Sequence, residues 1–320
     1  MKLAFIIDPI AKLDPGHDTS VALIEAAQIM GHQVWIATAD GLNIVEGKAW
    51  ANLQPVTLKP VELVDGLWKA ESDWYRVGEA VFTPLETMDA VWMRIDPPVN
   101  TPYLYATYIL DLIDPQKTLV INSPAGLRNA NEKVYALQFT SVIPTTIVSQ
   151  DKAVIEKFVA EQKTAVLKPL GGKAGEGILF LQEGDRNFNS LVEISTKQGS
   201  EPVMVQEYLP AAKEGDKRII LLEGKPIGAL NRIPTGKDFR GNMAVGGRVA
   251  RIEITDRERE ICESLAPTLQ RDGLYFVGID VIGGYLTEVN VTSPTGIREI
   301  DRLNEVSLGK EVITWIESKL

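Results

Sequence analysis

Three oxygen-bearing residues near the C-terminus have the types and spacing of a hard-cation site: Asp280, Glu288 and Asn290. Glu288 and Asn290 are two apart on an expected strand, so they share a face. Asp280 lies on the preceding strand, across a turn near Gly283-Gly284. A two-residue loop would set Asp280 opposite Thr287, with Glu288 on the other face. A three-residue loop, Gly283–Tyr285, would set it opposite Glu288, and three oxygen ligands would converge. Such a set suits Mg2+, which binds few carboxylates and keeps positions for water and phosphate. Taken alone, acids at alternating positions are more often the polar face of a half-exposed hairpin.

A second constellation is Lys168-Pro-Leu-Gly-Gly-Lys-Ala-Gly175-Glu-Gly177. A lysine at a strand end precedes a turn whose glycines let backbone N–H groups approach phosphate oxygens. It is not a Walker A loop, since no Gly-Lys-Ser/Thr opens a helix. By itself it is equally a flexible hairpin loop. A third is the stretch Lys213–Arg251, with nine basic residues against four acidic ones. Clustered arginines such as Arg218, Arg232, Arg240 and Arg248 suit bidentate recognition of carboxylate and phosphate. A fourth is Ser293-Pro-Thr-Gly-Ile-Arg298, a turn expected to set Arg298 and hydroxyls beside the cation site. His17 beside Asp18, Cys262 on a helix and six scattered tryptophans carry weaker signals.

The elements that must position these residues read as follows. Leu3–Ile7, helix Thr19–Met30 and strand Gln33–Thr38 form a β-α-β opening, so the N-terminal third is a doubly wound α/β unit. Leu42–Leu58 is a hairpin turning at Glu46-Gly47, followed by strand Ala90–Ile95, helix Tyr103–Ile113 and strand Thr118–Ile121. No G-x-G-x-x-G follows the first strand, which disfavours a dinucleotide site there. From Ser123 the texture changes. Helix Leu127–Phe139 carries Asn131-Glu132-Lys133, helix Asp151–Glu161 lies between strands, and the glycine loop joins Val166–Pro169 to Ile178–Gln182. Strands follow at Val203–Glu207, Arg218–Leu222 and Pro226–Leu230, then a polar loop Pro234–Gly247. Helix Arg257–Asp272, hairpin Phe276–Val291 and a C-terminal helix end the chain. Three units are expected: 1–122, 123–202 and 203–320.

The 320 residues carry 33 Lys+Arg against 43 Asp+Glu, a formal net charge of −10. That argues against nucleic acid and against anionic membrane as partners. One cysteine and two histidines leave no material for a disulfide framework or a multi-histidine metal cluster. No apolar run matches a signal peptide or a membrane span, so a cytoplasmic protein is expected.

Taken in order, these motifs resemble the bacterial glutathione synthetases, a family of ATP-grasp ligases. The resemblance runs nearly end to end, through Asp8-Pro-Ile, Arg94-Ile-Asp-Pro-Pro, Leu127-Arg-Asn-Ala-Asn-Glu-Lys133, Gly215-Asp-Lys-Arg218, Gly246-Gly-Arg248 and Thr287-Glu-Val-Asn-Val-Thr-Ser-Pro-Thr295. It implies an α/β domain followed by an ATP-grasp fold of two α+β subdomains. It implies ATP as the nucleotide, with Lys133, Lys168, Gly175, Gly177, Gln206, Glu207, Tyr208, Leu209 and Asp216 around it. Asp280, Glu288 and Asn290 would hold Mg2+, two ions with Mn2+ as a substitute. Arg218, Arg232 and Arg248 would face the reacting groups. Arg240, Asn290, Ser293 and Thr295 would bind the peptide, and Pro234–Gly247 would be a mobile lid. The glycine loop departs from the family's Asp-Gly-Met-Gly-Gly form. The implied reaction joins γ-glutamylcysteine to glycine through an acylphosphate, in a homodimer or homotetramer. A ligase for another dipeptide, and a non-catalytic nucleotide-binding regulator, are the alternatives.

Overall fold

The structure, a computed structural model, describes residues 1–173, 175–235 and 247–320. The strands are β1 Lys2–Ile7, β2 Gln33–Ala37, β3 Leu42–Val45, β4 Lys48–Leu58, β5 Glu62–Val64, β6 Leu67–Lys69, β7 Tyr75–Val77, β8 Val81–Pro84, β9 Ala90–Arg94 and β10 Leu119–Ile121. They continue with β11 Thr146–Ser149, β12 Thr164–Pro169, β13 Leu179–Gln182, β14 Val203–Glu207, β15 Asp216–Leu222, β16 Lys225–Ile233, β17 Arg248–Arg251, β18 Phe276–Ile282 and β19 Tyr285–Asn290. The helices are α1 Thr19–Ile29, α2 Thr101–Leu110, α3 Pro124–Asn129, α4 Lys152–Gln162, α5 Phe188–Ser195, α6 Asp256–Arg271, α7 Ile297–Asn304 and α8 Leu308–Lys319.

The N-terminal sheet runs β10-β9-β1-β2-β4-β3, with β7 and β8 also paired to β4. Strands β10, β9, β1 and β2 are mutually parallel, as the β-α-β reading requires. Asp18 caps α1 through the Ser20 and Val21 amides. A second sheet runs β11-β14-β12-β13 and a third β17-β16-β15-β18-β19. Among the described residues, strands β5 and β6 pair only with each other.

The second sheet has its own core, in which Ile155, Phe158, Leu167, Leu181, Val203 and Val205 are buried together. Strand β14 is an inner strand there, so this sheet continues past residue 202. The first and third sheets share two cores instead. One joins Ile6 and Met93 to Ile279 and Val289; the other joins Phe5 and Trp92 to Phe276 and to Val312, Ile313 and Ile316 of α8. Gly309 of α8 lies so close to α1 that a Cβ there would stand 3.0 Å from the Ala26 Cβ.

Two helices differ from expectation. Leu127–Phe139 is not one helix: α3 ends at Asn129, and a short 3-10 turn covers Val134–Gln138. The Asn131 carboxamide accepts from the Lys133 and Val134 amides, which stops the helix and leaves Glu132 half-buried and Lys133 buried. The C-terminal helix is two, α7 and α8, broken where Glu305 takes a left-handed conformation. Among the described residues, no helix is long and apolar enough to cross a membrane.

Candidate active site

The β18–β19 hairpin settles the register question in an unforeseen way. Its loop is the two-residue one: Ile282 faces Tyr285, and Gly283 and Gly284 both have positive φ, as a tight hairpin turn demands. A β-bulge then intervenes between Asp280 and Val281. Val281 faces Leu286, Thr287 is the extra residue, and Asp280 faces Glu288. The expectation of a three-residue loop is therefore wrong, but the convergence it served is present. Asn290 Nδ2 donates to Asp280 Oδ2 at 3.3 Å.

Arginines surround this hairpin. Arg218, on neighbouring β15, donates to Asp280 through Nε at 2.5 Å and Nη2 at 3.0 Å. Arg232, on β16, reaches Asp280 Oδ1 at 3.0 Å and Asp216 Oδ2 at 2.5 Å. Burial opposes ionisation of Asp280, but the two guanidinium groups outweigh it and hold the carboxyl far below the usual range. Asp216 goes the other way. Burial, with the Asp280 charge adding to it, pushes its carboxyl up to about 6 against the pull of Arg232. Its Oδ1 is buried without a hydrogen-bond partner.

A cleft of about 840 Å3 opens between the second and third sheets. One wall holds Lys133, Lys168 and Gln206. Lys168 Nζ donates to Gln206 Oε1 at 2.8 Å, and Gln206 Nε2 to Thr146 Oγ1 at 2.9 Å. Burial, with Lys133 adding to it, lowers Lys168 below the ordinary ammonium range. Lys133 Nζ donates to the Gly172 carbonyl at 2.6 Å and lies 2.9 Å from Glu288 Oε1. Asn131 Nδ2 also holds this loop, at the Leu170 carbonyl. The helix break at Asn131 thus supplies both pins of the glycine loop. At the far end, Val166, Ile178, Tyr208, Leu209, Ala212 and Ile282 form an apolar recess beside Glu207. An apolar lining of this kind suits a flat aromatic group.

A second cleft, of about 740 Å3, meets the first at Gly172, Lys173 and Glu288. It is lined by Arg218, Arg232, Asn290, Ser293 and Thr295, and also by His17 and Glu132. Glu132 is the residue sequence reasoning missed. Its carboxylate accepts from the Val291 and Thr292 amides and from Thr292 Oγ1, so it shapes the turn that carries Ser293. Burial and the nearby Glu288 raise its carboxyl. Buried Arg94 holds the same turn, donating to the Pro294 carbonyl at 3.0 Å and to Ser20 Oγ. The available signal was its position at the C-terminal end of a parallel strand, where ligands gather in such sheets.

The remaining expectations divide. Gly175 lines the first cleft. Gly177 stands behind it, where φ is +68° and a Cβ would come within 2.8 Å of Pro169. Arg248 is exposed at the start of edge strand β17 and is among the lining residues of neither cleft. Arg240 and the lid segment between Thr235 and Gly247 lie outside the described residues. Arg298 does not stand beside the cation site. It is buried, with Nη2 2.6 Å from Glu25 of α1 and its guanidinium over the Trp68 ring. The first turn of α7 points it toward α1, away from the Ser293–Thr295 lining.

Asp280, Glu288 and Asn290 fit a hard divalent cation, being two carboxylates and a carboxamide on one face. Among the described residues, no group of three or more His, Cys, Asp or Glu could hold a metal by itself.

Comparison with known proteins gives one answer. Residues 1–128 match the prokaryotic glutathione synthetase N-terminal domain, and residues 132–305 match the prokaryotic glutathione synthetase ATP-grasp domain. The chain is 70% identical over 318 residues to a glutathione synthetase of Thermosynechococcus vestitus, covering 99% of this chain and 100% of that one. It is 41% identical to one from Coxiella burnetii, covering 100% and 97%. Among solved structures, the ATP-grasp ligase PsnB with its minimal precursor superposes with a TM-score of 0.63 at 18% identity, covering 99% of each chain. D-cycloserine synthetase DcsG superposes with a TM-score of 0.64 at 14% identity, also covering 99% of each. These likenesses show an ATP-grasp fold behind an N-terminal α/β domain, and by both family matches and full-length identity the chain belongs to the prokaryotic glutathione synthetase family.

Proposed function

We propose that this chain joins γ-glutamylcysteine to glycine, driven by ATP, and releases glutathione, ADP and phosphate. The observation that carries this reading is the junction of two clefts at Gly172, Lys173 and Glu288. One has an apolar recess and lysines for a nucleotide; the other has arginines and hydroxyls for an acidic peptide.

The peptide's cysteinyl carboxylate attacks the γ-phosphorus of ATP. A bond forms from carboxylate oxygen to phosphorus, and the bond to the bridging oxygen breaks to leave ADP. Two anions approach one another in that step, so positive charge must be fixed in place beforehand. Lys133 and Lys168 supply it on the nucleotide side, and Arg218 and Arg232 at the junction. Mg2+, when bound by Asp280, Glu288 and Asn290, adds Lewis-acid charge on the phosphoryl oxygens. The glycine amine then attacks the acyl carbon, phosphate leaves with the bonding electrons, and the amine loses a proton. No protein nucleophile is required. Cys262 is buried in α6, and burial pushes its thiol up to about 12.

Ser293, Thr295 and Asn290 are the peptide contacts of this reading; Arg240, outside the described residues, and Arg248 belong to it through the family alone. Two Mg2+ ions replaceable by Mn2+, a homodimer or homotetramer and a cytoplasmic location belong to it through the family. So does a division into three units at 122 and 202, with the second boundary moved past Glu207 to keep β14 in its sheet. The test is ADP release from purified protein with Mg2+, ATP, γ-glutamylcysteine and glycine, omitting each in turn. Full release requires all four. ADP formed without dependence on γ-glutamylcysteine overturns the assignment.

A further inference from the structure

The two-stranded hairpin β5–β6 pairs with no other strand among the described residues, and so small a ribbon does not hold its shape alone in water. Its main anchorage is at Trp68. The Trp68 indole N–H donates to the Arg298 carbonyl at 2.6 Å, and its ring lies 5.2 Å from the Arg298 guanidinium carbon. The Trp68 carbonyl lies against Gly16, where a Cβ would come within 2.8 Å of it. Gly16 precedes His17 and Arg298 precedes Glu299, and those two side chains meet, Nδ1 to Oε1, at 2.5 Å. Trp68 therefore touches the backbone immediately before each partner. Glu25 of α1 completes the frame, accepting from the Val61 amide at 2.9 Å and facing Arg298. Arg302 of α7 donates to the Gly66 carbonyl at the hairpin tip.

His17 lines the second cleft opposite Ser293 and Thr295. The loop that carries it comes from the N-terminal unit, and α7 follows directly on the turn that carries Thr295. The wall of this cleft is thus assembled from two distant segments, with one indole between them. We propose that Trp68 is a positioning residue for the peptide cleft: from outside it, the indole and backbone of Trp68 lock the His17 loop to the first turn of α7. The inference rests on the reading of the second cleft as the peptide site.

The experiment compares Trp68→Phe, which keeps a ring over Arg298 but loses the donor, with Trp68→Ala, which loses both. The expected result is a selective effect. The KM for γ-glutamylcysteine rises about fivefold in Trp68→Phe, the scale of one net hydrogen bond, and further in Trp68→Ala. The KM for ATP and kcat stay close to wild type. A second readout needs no turnover. The chain has only two histidines, so the imidazole resonance of His17 can be followed by NMR in the free protein. The hydrogen bond that His17 donates to Glu299 raises His17, with Asp14 and Asp18 adding to it and burial opposing. Its titration should fall toward the ordinary histidine value in both variants. Unchanged peptide KM with an unmoved His17 titration overturns the proposal. So does a rise in all three KM values together with a lower unfolding temperature, which marks a general structural role. Ser293→Ala separates the two layers. If it leaves the peptide KM unchanged, the reading of the cleft fails; if it raises that KM and the Trp68 variants do not, only the positioning role fails.

Discussion

At Asp280 a single carboxylate accepts from Arg218, Arg232 and Asn290. The residue types here were legible, because Asp280, Glu288 and Asn290 announce hard oxygen chemistry by kind and spacing. Their partners were not, because ion pairs such as Arg218 with Asp280 join residues 62 apart in the chain. Arg298 misled for the same reason: nothing near it in sequence points to Glu25 or Trp68. Two predictions belong at this scale. Glu288→Gln keeps shape and removes charge, so turnover should fall about 10²-fold or more, the scale of one lost electrostatic stabiliser. Its unfolding temperature should stay near wild type, and turnover unchanged from wild type at saturating Mg2+ would count against a metal-ligand role. The second concerns pH. Burial raises Asp216, so between about pH 4 and pH 6 the folded state keeps a proton that the unfolded chain has released. Its contribution to stability is present below that window and declines as pH rises through it. Asp280 is lowered, so its contribution is present at and above the same window and is lost only at more acidic pH. Asp216→Asn should therefore flatten the dependence of unfolding temperature on pH between those limits, as calorimetry across that range can show.

Among the elements, those with strong periodicity or clear caps were readable: β1, α1, β2, α4 and α6 lie within a residue or two of expectation. The misses have local causes. The bulge at Asp280 leaves no mark in composition, yet it decides which face Glu288 joins. The helix expected over Leu127–Phe139 fails because the Asn131 side chain competes for the backbone. Strands β5 and β6 are three residues each, too short to show alternation. Gly177 tests the glycine loop as an element. Its φ of +68° and the closeness of Pro169 both penalise a Cβ. Gly177→Ala should cost about 1 kcal/mol and raise the KM for ATP, because the loop it closes lines the nucleotide cleft. An unaltered KM for ATP would take the loop out of nucleotide binding.

For the whole molecule, changes of texture suggested three units, but the sharing of cores was not legible. Hydrophobic pattern shows that a face is buried and does not name what covers it. The first and third sheets bury their side chains together, while the second sheet keeps a core to itself. Helix α8 belongs to the shared part, with Val312, Ile313 and Ile316 buried beside Phe5 and Trp92. Burying each such side chain contributes about 1.5–3 kcal/mol, so removing residues 308–320 should leave the N-terminal unit unable to fold. Soluble expression and circular dichroism of the truncated chain check this, and a native-like spectrum would contradict it. A milder variant, Gly309→Leu, forces α8 off Ala22 and Ala26 of α1. It should cost about 1–3 kcal/mol by overpacking, read as a lower unfolding temperature.

The seating of α8 against α1 also has a consequence in time. A ribosome delivers this helix only after the described lining residues of both clefts have been made. Until it emerges, the face of α1 that α8 covers stays exposed and the N-terminal unit waits, however long ago its own strands left the tunnel. The second sheet, which needs nothing from α8, is free to form during synthesis. Maturation of this chain is thus split: an early, self-sufficient middle and a late closing step that completes both ends together.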